Sequence, residues 1–275
     1  MEQLVGLELK DFNGTSYYMY KTKYNKKTVL YIHGLGFSKE FFKNHFTKYG
    51  LDKYSWLVPD LIGHGDSYKA KTLLTYSMKY QAEQILKLLF QESVTELIVV
   101  SHSMGSPIAY YLISSILRLK ELKKEEDFPI DVLLFISVEG NIDENDAFLS
   151  GKIASWSWRE FNDIDYIASI NDFKMHYPKY YETIRCCTPW DLYASSFDLI
   201  KVSRPEITLP LLYTISTTIP IKILYGEKNK GYFSSEAILK NKFEIEYIPN
   251  SGHSMIYDNP KGFWEIILKY ISALE

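Results

Sequence analysis

Ser103 is the residue of this chain best placed for covalent chemistry. It lies in Ser101-His102-Ser103-Met104-Gly105, between the apolar run Leu97-Ile98-Val99-Val100 and a stretch in which Ile108, Leu112, Ile116 and Leu119 share one helical face. A serine on so tight a strand-to-helix turn takes strained backbone angles. The residues two positions either side must then be small. Gly105 meets that demand in full, and Ser101 stands where the G-x-S-x-G pattern has glycine. The helix beyond Ser103 brings a positive dipole end and free N–H groups to the hydroxyl. A serine nucleophile needs a base, and the chain has six histidines. His253 stands out among them. It follows the apolar run 243–248 and a Pro-Asn-Ser-Gly turn, and precedes a helix opened by Asn259 and Pro260. An imidazole suits proton transfer because its pKa lies near working pH.

The elements that must position these residues alternate. A hairpin is predicted around the turn dipeptide Asn13-Gly14, between 5–9 and 17–20. Short apolar runs at 28–32, 56–58, 97–100, 132–136, 221–225 and 243–248 read as strands. Helices are predicted near 39–49, over 72–91, after Ser103, at 234–241 and from Pro260, where Trp264, Ile267, Ile271 and Leu274 make a buried face. Strands alternating with helices imply a mostly parallel central sheet with flanking helices, an α/β fold. The rhythm stops after Val138. Residues 141–219 show helical stretches and prolines without a strand, and read as an inserted helical lid on a core of 1–140 and 220–275.

Four motifs, each at the end of a predicted strand, then fall in one order. They are His33-Gly34-Leu35-Gly36, Asp60-Leu61-Ile62-Gly63-His64-Gly65-Asp66-Ser67, the serine turn, and Asn250-Ser251-Gly252-His253-Ser254-Met255. In these the chain resembles the α/β-hydrolase family over nearly its whole length. The resemblance implies Ser103 as nucleophile, His253 as general base, and the backbone N–H groups of Leu35 and Met104 as the oxyanion hole. It also implies an acid to orient the histidine. The position where the family often has Asp holds Asn229, with Glu227 beside it. Other members carry the acid after the preceding strand, where Glu139 stands in Val138-Glu139-Gly140-Asn141. Glu139 is the expected acid; the alternatives are Glu227, Asp143, Asp146 or no acid at all. His33 and His64 are expected to support their loops, His102 fills a variable position, and His45 and His176 have no motif around them. Aromatic residues crowd the lid, and Trp156 and Trp190 are expected to line a substrate pocket. An insertion there would cover the sheet edge at which α/β proteins bind ligands.

Composition narrows the function classes. With 31 Lys plus Arg against 34 Asp plus Glu, the formal net charge is −3, which argues against a nucleic-acid partner. No run of 18 apolar residues suggests a membrane span, and the start of the chain lacks the pattern of a secretion signal. The two cysteines, Cys186 and Cys187, are adjacent and fit a reducing, cytoplasmic setting. The charge run 120–127 reads as a solvated helix end and loop. No cofactor or metal is implied, the expected partner is a small-molecule substrate, and nothing fixes the oligomeric state. The expected activity is cleavage of a small apolar or aromatic ester or thioester through an acyl-enzyme. The alternatives are a ligand-binding or signalling protein with little turnover, or a cofactor-free C–C or amide hydrolase.

Overall fold

The structure, a computed structural model, describes residues 6–122 and 128–274. The start of the expected first strand at Val5, the N-terminal segment 1–5 and most of the charge run 120–127 lie outside the described residues. Eight strands form one sheet: β1 (Leu7–Phe12), β2 (Thr15–Tyr20), β3 (Lys27–Ile32), β4 (Ser55–Pro59), β5 (Glu96–His102), β6 (Asp131–Val138), β7 (Ile221–Gly226) and β8 (Ile245–Ile248). Their order is β1-β2-β4-β3-β5-β6-β7-β8; β2 pairs antiparallel with both β1 and β4, and the pairs from β4–β3 onward are parallel. The hairpin forms at Asn13-Gly14, where both residues take positive φ (53° and 79°), as a tight two-residue connection requires.

Helices cover both faces. They are α1 (Glu40–His45), α2 (Met78–Gln91), α3 (Gly105–Leu122), α4 (Phe148–Ser155), α5 (Trp158–Glu160), α6 (Tyr166–His176), α7 (Pro178–Ile184), α8 (Pro189–Val202), α9 (Pro205–Ser216), α10 (Ser234–Lys240), α11 (Met255–Asp258) and α12 (Pro260–Ser272). Alternation along the strands divides the core in two. Leu30, Ile32, Leu97 and Val99 pack with α2 and α3, while Val29, Tyr31, Ile98 and Val100 pack with α1 and α12. Both faces of the central strands are buried, so they read as continuous apolar runs.

Several boundaries differ from the sequence reading. β1 runs Leu7–Phe12 in place of the expected 5–9, and the helix expected over 72–91 begins at Met78, after a separate turn at Leu73–Tyr76. The helix expected over 39–49 ends at His45, and the chain then turns through Gly50 at φ 69°. The strand expected from 243 begins at Ile245, because the Phe243 N–H is taken by Leu239 O at the end of α10. Between β6 and β7 the chain is helical, from α4 to α9. Pro178, Pro189 and Pro205 each occupy a helix's first position, where the missing N–H costs nothing. Among the described residues no helix is long and apolar enough to cross a membrane.

Parallel register brings the ends of β3, β5, β6, β7 and β8 to one edge. Ile32 pairs with Ser101, His102 with Val138, Val138 with Leu224, and Gly226 with Ile248. Every motif singled out in the sequence therefore opens at the same edge. The loop after β4 is fixed by a buried ion pair. Asp60 accepts from Lys39 Nζ (2.8 Å), Lys39 N (2.6 Å) and Asp66 N (2.8 Å), and neither Lys39 nor Asp60 is exposed. Burial pulls the Lys39 pKa down, but Asp60 and Asp66 outweigh it and hold the ammonium above its ordinary value. Removing one partner of such a pair strands a buried charge. Asp60→Ala should cost about 3–5 kcal/mol of stability in urea denaturation. Asp66→Ala, at an exposed carboxylate, should cost less than about 1 kcal/mol. Equal losses from the two would contradict this account.

Candidate active site

Ser103 sits at the tip of the turn between β5 and α3 with φ 51°, in the left-handed region that a non-glycine residue rarely adopts. Its N–H donates to Val138 O (3.0 Å), and its own carbonyl accepts from Ser106 N (2.9 Å). Gly105 is required, since a Cβ there would collide with the carbonyl of Ile32. The departure at Ser101 also has a structural reason. Its side chain is fully buried, and its hydroxyl is hydrogen-bonded to that of Ser106 (2.8 Å).

Glu139 follows directly on β6, also with a positive φ (41°). Its carboxylate is almost wholly buried and is ringed by donors. Gly226 N donates to Oε1 (2.7 Å), the Asn229 side-chain nitrogen donates to both oxygens (2.9 and 3.0 Å), and His253 Nδ1 lies 2.6 Å from Oε2. With the Nδ1 proton directed at the carboxylate, Nε2 is left to exchange a proton with a reacting group. Asn229 and Glu139 thus sit at one place. The residue at 229 binds the Glu139 carboxylate.

The other carboxylates are engaged elsewhere. Glu227 accepts from Asn250 N (2.9 Å) in the turn leading to His253. Asp143 and Asp146 form a capping box at residues 143–147 and accept from Ser234 and Ser235 respectively. Burial, the largest influence on Asp146, pushes its pKa up to about 6 despite those hydrogen bonds.

His102 does more than fill a variable position. Its Nε2 donates to His253 O (2.9 Å), and its ring lies 4.8 Å from the His253 ring. Burial, reinforced by the neighbouring His253, pushes its pKa down to about 3. One usable signal stood in the sequence, an imidazole directly beside the serine. His33 accepts from Leu61 N at Nε2 (3.0 Å), so Nδ1 carries the proton and donates to Gly34 O (2.8 Å). Burial lowers its pKa and that of His64, whose ring lies 5.2 Å away.

Ser103, His253 and Leu35 line one cavity of about 770 Å³, of a size to hold a drug-sized molecule. Phe37, Phe148, Phe173, Tyr180 and Leu199 supply its apolar wall. No hydrogen bond joins the Ser103 hydroxyl to His253 among the described residues. Such contacts are commonly loose before substrate arrives. The Met104 side chain is buried in the core, so position 104 can offer only its backbone to the cavity. Trp156 and Trp190 are not in the cavity wall, contrary to expectation. Trp190 packs edge-on against Trp158 (5.0 Å) and stacks with Tyr193 (6.3 Å), and the Trp156 carbonyl accepts from the Tyr193 hydroxyl (3.3 Å). The rings of Trp158, Trp190 and Tyr193 pack against one another instead.

Comparison with known proteins agrees with this architecture. A model of the alpha/beta hydrolase family matches residues 29–266. The esterase EaEST from Exiguobacterium antarcticum superposes with a TM-score of 0.72 at 17% identity, over 98% of this chain and 100% of that one. A 1-acylglycerol-3-phosphate O-acyltransferase of Saccharomyces cerevisiae is 32% identical over 65 residues, 21% of this chain and 16% of that protein. A Mycoplasma pneumoniae protein with the provisional name esterase/lipase 2 is 24% identical over 103 residues, 38% of each chain. The aligned stretches thus span well under half of those two relatives.

Acid should weaken the fold through the buried imidazoles. His102 and His45 have native pKa values of about 3 and about 4, against 6.5 when free, so the unfolded chain takes up protons that the native chain cannot. Their contribution is intact above pH 6.5 and is lost as pH falls toward the native values. Asp146 acts oppositely, since its native form holds a proton up to about pH 6. In His102→Gln the urea midpoint should fall less steeply between pH 6.5 and 4, by about one proton's worth of slope. Identical slopes in the two proteins would refute the neutral assignment of His102.

Proposed function

The chain belongs to the alpha/beta hydrolase family, and we propose that it is a serine hydrolase cleaving a small apolar or aromatic ester or thioester through an acyl-enzyme. One observation carries the reading. A buried carboxylate is hydrogen-bonded to the His253 ring, and that ring shares a cavity with a serine held at positive φ. Backbone outliers of this kind concentrate at working sites.

In this reading Ser103 Oγ attacks the carbonyl carbon as its proton passes to His253 Nε2. Glu139 holds the ring in the required tautomer and stabilises the imidazolium. The negative charge on the carbonyl oxygen is met by the backbone N–H groups of Leu35 and Met104. Collapse of the tetrahedral adduct expels the alcohol or thiol, which takes the proton from Nε2 and leaves the acyl group on Ser103. Water then attacks the acyl-enzyme, giving its proton to Nε2, and the acid departs as Ser103 recovers that proton. The helices within 141–219 act as a lid over the cavity. Their Phe148, Phe173 and Tyr180 form the acyl pocket in place of Trp156 and Trp190. No metal or cofactor enters any step, and the free thiols of Cys186 and Cys187 suit the cytoplasm.

A second reading, a ligand-binding protein with little turnover, draws on the lack of a direct Ser103–His253 hydrogen bond. A fluorophosphonate probe and a panel of p-nitrophenyl esters separate the two: rapid labelling with turnover supports the hydrolase, and tight binding without turnover supports the receptor. Ser103→Ala should abolish labelling and turnover while the protein stays folded; unchanged activity would sink the assignment. Glu139→Gln should lower kcat by roughly 10²–10⁴. Glu227→Gln should change it only a few-fold, and the reverse ranking would move the acid to Glu227.

A further inference from the structure

The loop that carries Leu35 is held from outside the sheet. Phe37 N donates to Gly34 O (3.2 Å), closing a four-residue turn with Leu35 and Gly36 in the middle. Gly36 has φ 72°, the mark of a type II turn. Type I and type II forms differ by a flip of the central peptide, here Leu35–Gly36, and a glycine in third place admits both. The central carbonyl, Leu35 O, is bound by the Tyr180 hydroxyl of α7 (2.8 Å). The approach is too close for any side chain at 36: a Cβ there would lie 2.5 Å from the Tyr180 oxygen and 2.8 Å from Ile184. The same short helix reaches α11, just beyond the histidine loop, where Lys179 Nζ donates to Tyr257 O (3.2 Å).

We propose that Tyr180 is a positioning residue for the oxyanion hole, its hydroxyl locking the 34–37 turn in the form from which the Leu35 N–H serves the reacting carbonyl. The inference rests on the hydrolase reading. A flip of the Leu35–Gly36 peptide would break the Tyr180 bond and reverse the dipole of the peptide adjoining the donor. It would also leave a hydroxyl without its partner beside Phe37 and Phe173, whose rings lie 4.9 and 5.2 Å from that of Tyr180. Oxyanion stabilisation depends on donors fixed before the charge develops. Tyr180 therefore acts on the transition state more than on bound substrate. It also makes the seating of α7 a condition for a formed hole.

The test is Tyr180→Phe, which removes one oxygen and keeps the ring packing. Hydrogen–deuterium exchange of peptides covering 33–38 reads the loop without any turnover. Exchange there should rise by about tenfold, with the rest of the chain unchanged. With p-nitrophenyl butanoate, kcat should fall by about 10–100-fold, below the 10²–10³ typical of deleting a donor outright, while KM stays within about twofold. Inhibition by phenylboronic acid, which forms a tetrahedral anion on the serine, should weaken by the same factor as kcat. Unchanged exchange overturns the proposal whether or not the protein turns over. Faster exchange with unaltered kcat and boronate affinity overturns its catalytic part. A wild-type protein that neither labels with fluorophosphonate nor hydrolyses any ester overturns the hydrolase reading and this catalytic role together, with the exchange result still deciding whether Tyr180 holds the turn.

Discussion

A buried carboxylate at the end of β6 sets the terms for the rest of the site. An ionised side chain out of contact with water is tolerated only when donors surround it. Glu139 takes its donors from three further segments: Gly226 at the end of β7, Asn229 just beyond, and His253 after β8. Each must arrive within hydrogen-bond distance at the same point, which constrains the register of three parallel strands at once. Gly226 serves doubly, since a side chain there would collide with the carbonyls of Ser251 and Gly252 in the histidine loop. The charge requirement also explains position 229. Two carboxylates at this separation would repel, and one would stay protonated. An amide gives the same shape and supplies donors, so an acid on β6 and an asparagine after β7 belong together.

The left-handed conformations of Ser103 and Glu139 follow from the same convergence. They end neighbouring strands, with the Ser103 N–H bonded to Val138 O and the Glu139 N–H to Leu224 O. Each segment turns sharply off the sheet edge, which places Ser103 in the cavity wall and the Glu139 carboxylate against His253. Such strain persists only where the surroundings over-determine it. The surroundings here are the bonded hydroxyls of Ser101 and Ser106, and Gly140, whose missing side chain makes room for Ser106 and Ser137.

Much of this was legible in the sequence. Apolar runs and turn dipeptides marked the strands along the chain, and motifs at strand ends pointed to Ser103, His253 and the His33–Gly36 loop, because a parallel sheet collects strand ends at one edge. Glu139 was expected only from the family resemblance. The role of Asn229 was hidden, since periodicity says nothing about two loops ninety residues apart in the chain meeting at one carboxylate. His102 was passed over because its value lies in a backbone carbonyl 151 residues away. Trp156 and Trp190 misled for a related reason. Helical spacing tells which residues share a face, but not which face meets the sheet edge. The large aromatics of α5 and α8 found one another, leaving smaller residues of α4 and α6 to wall the cavity.

The helices between β6 and β7 are held very unequally, and that inequality bears on how the cavity opens. On α8, Asp191 accepts from the buried Tyr76 hydroxyl and Asp198 accepts from Met78 N (2.7 Å), so the helix is bolted to the segment leading into α2. On α9, Leu212 and Ile215 are buried in the same core cluster as α3. By contrast α6 has no buried residue, although its Phe173 and Ser169 line the cavity and its Ile167 and Met175 lie exposed. Segments with few buried apolar contacts have the lowest free energy of local opening. The rigid wall of the cavity is therefore the sheet edge with α8, and the compliant wall is α6. Because α7 follows α6 directly and binds the Leu35 carbonyl, the compliant wall and the turn beside the serine are joined by adjacent helices. The Glu139–His253 pair is held from the strand ends, yet it also meets the helices between β6 and β7, since the Phe148 ring of α4 packs edge-on against His253 at 5.4 Å.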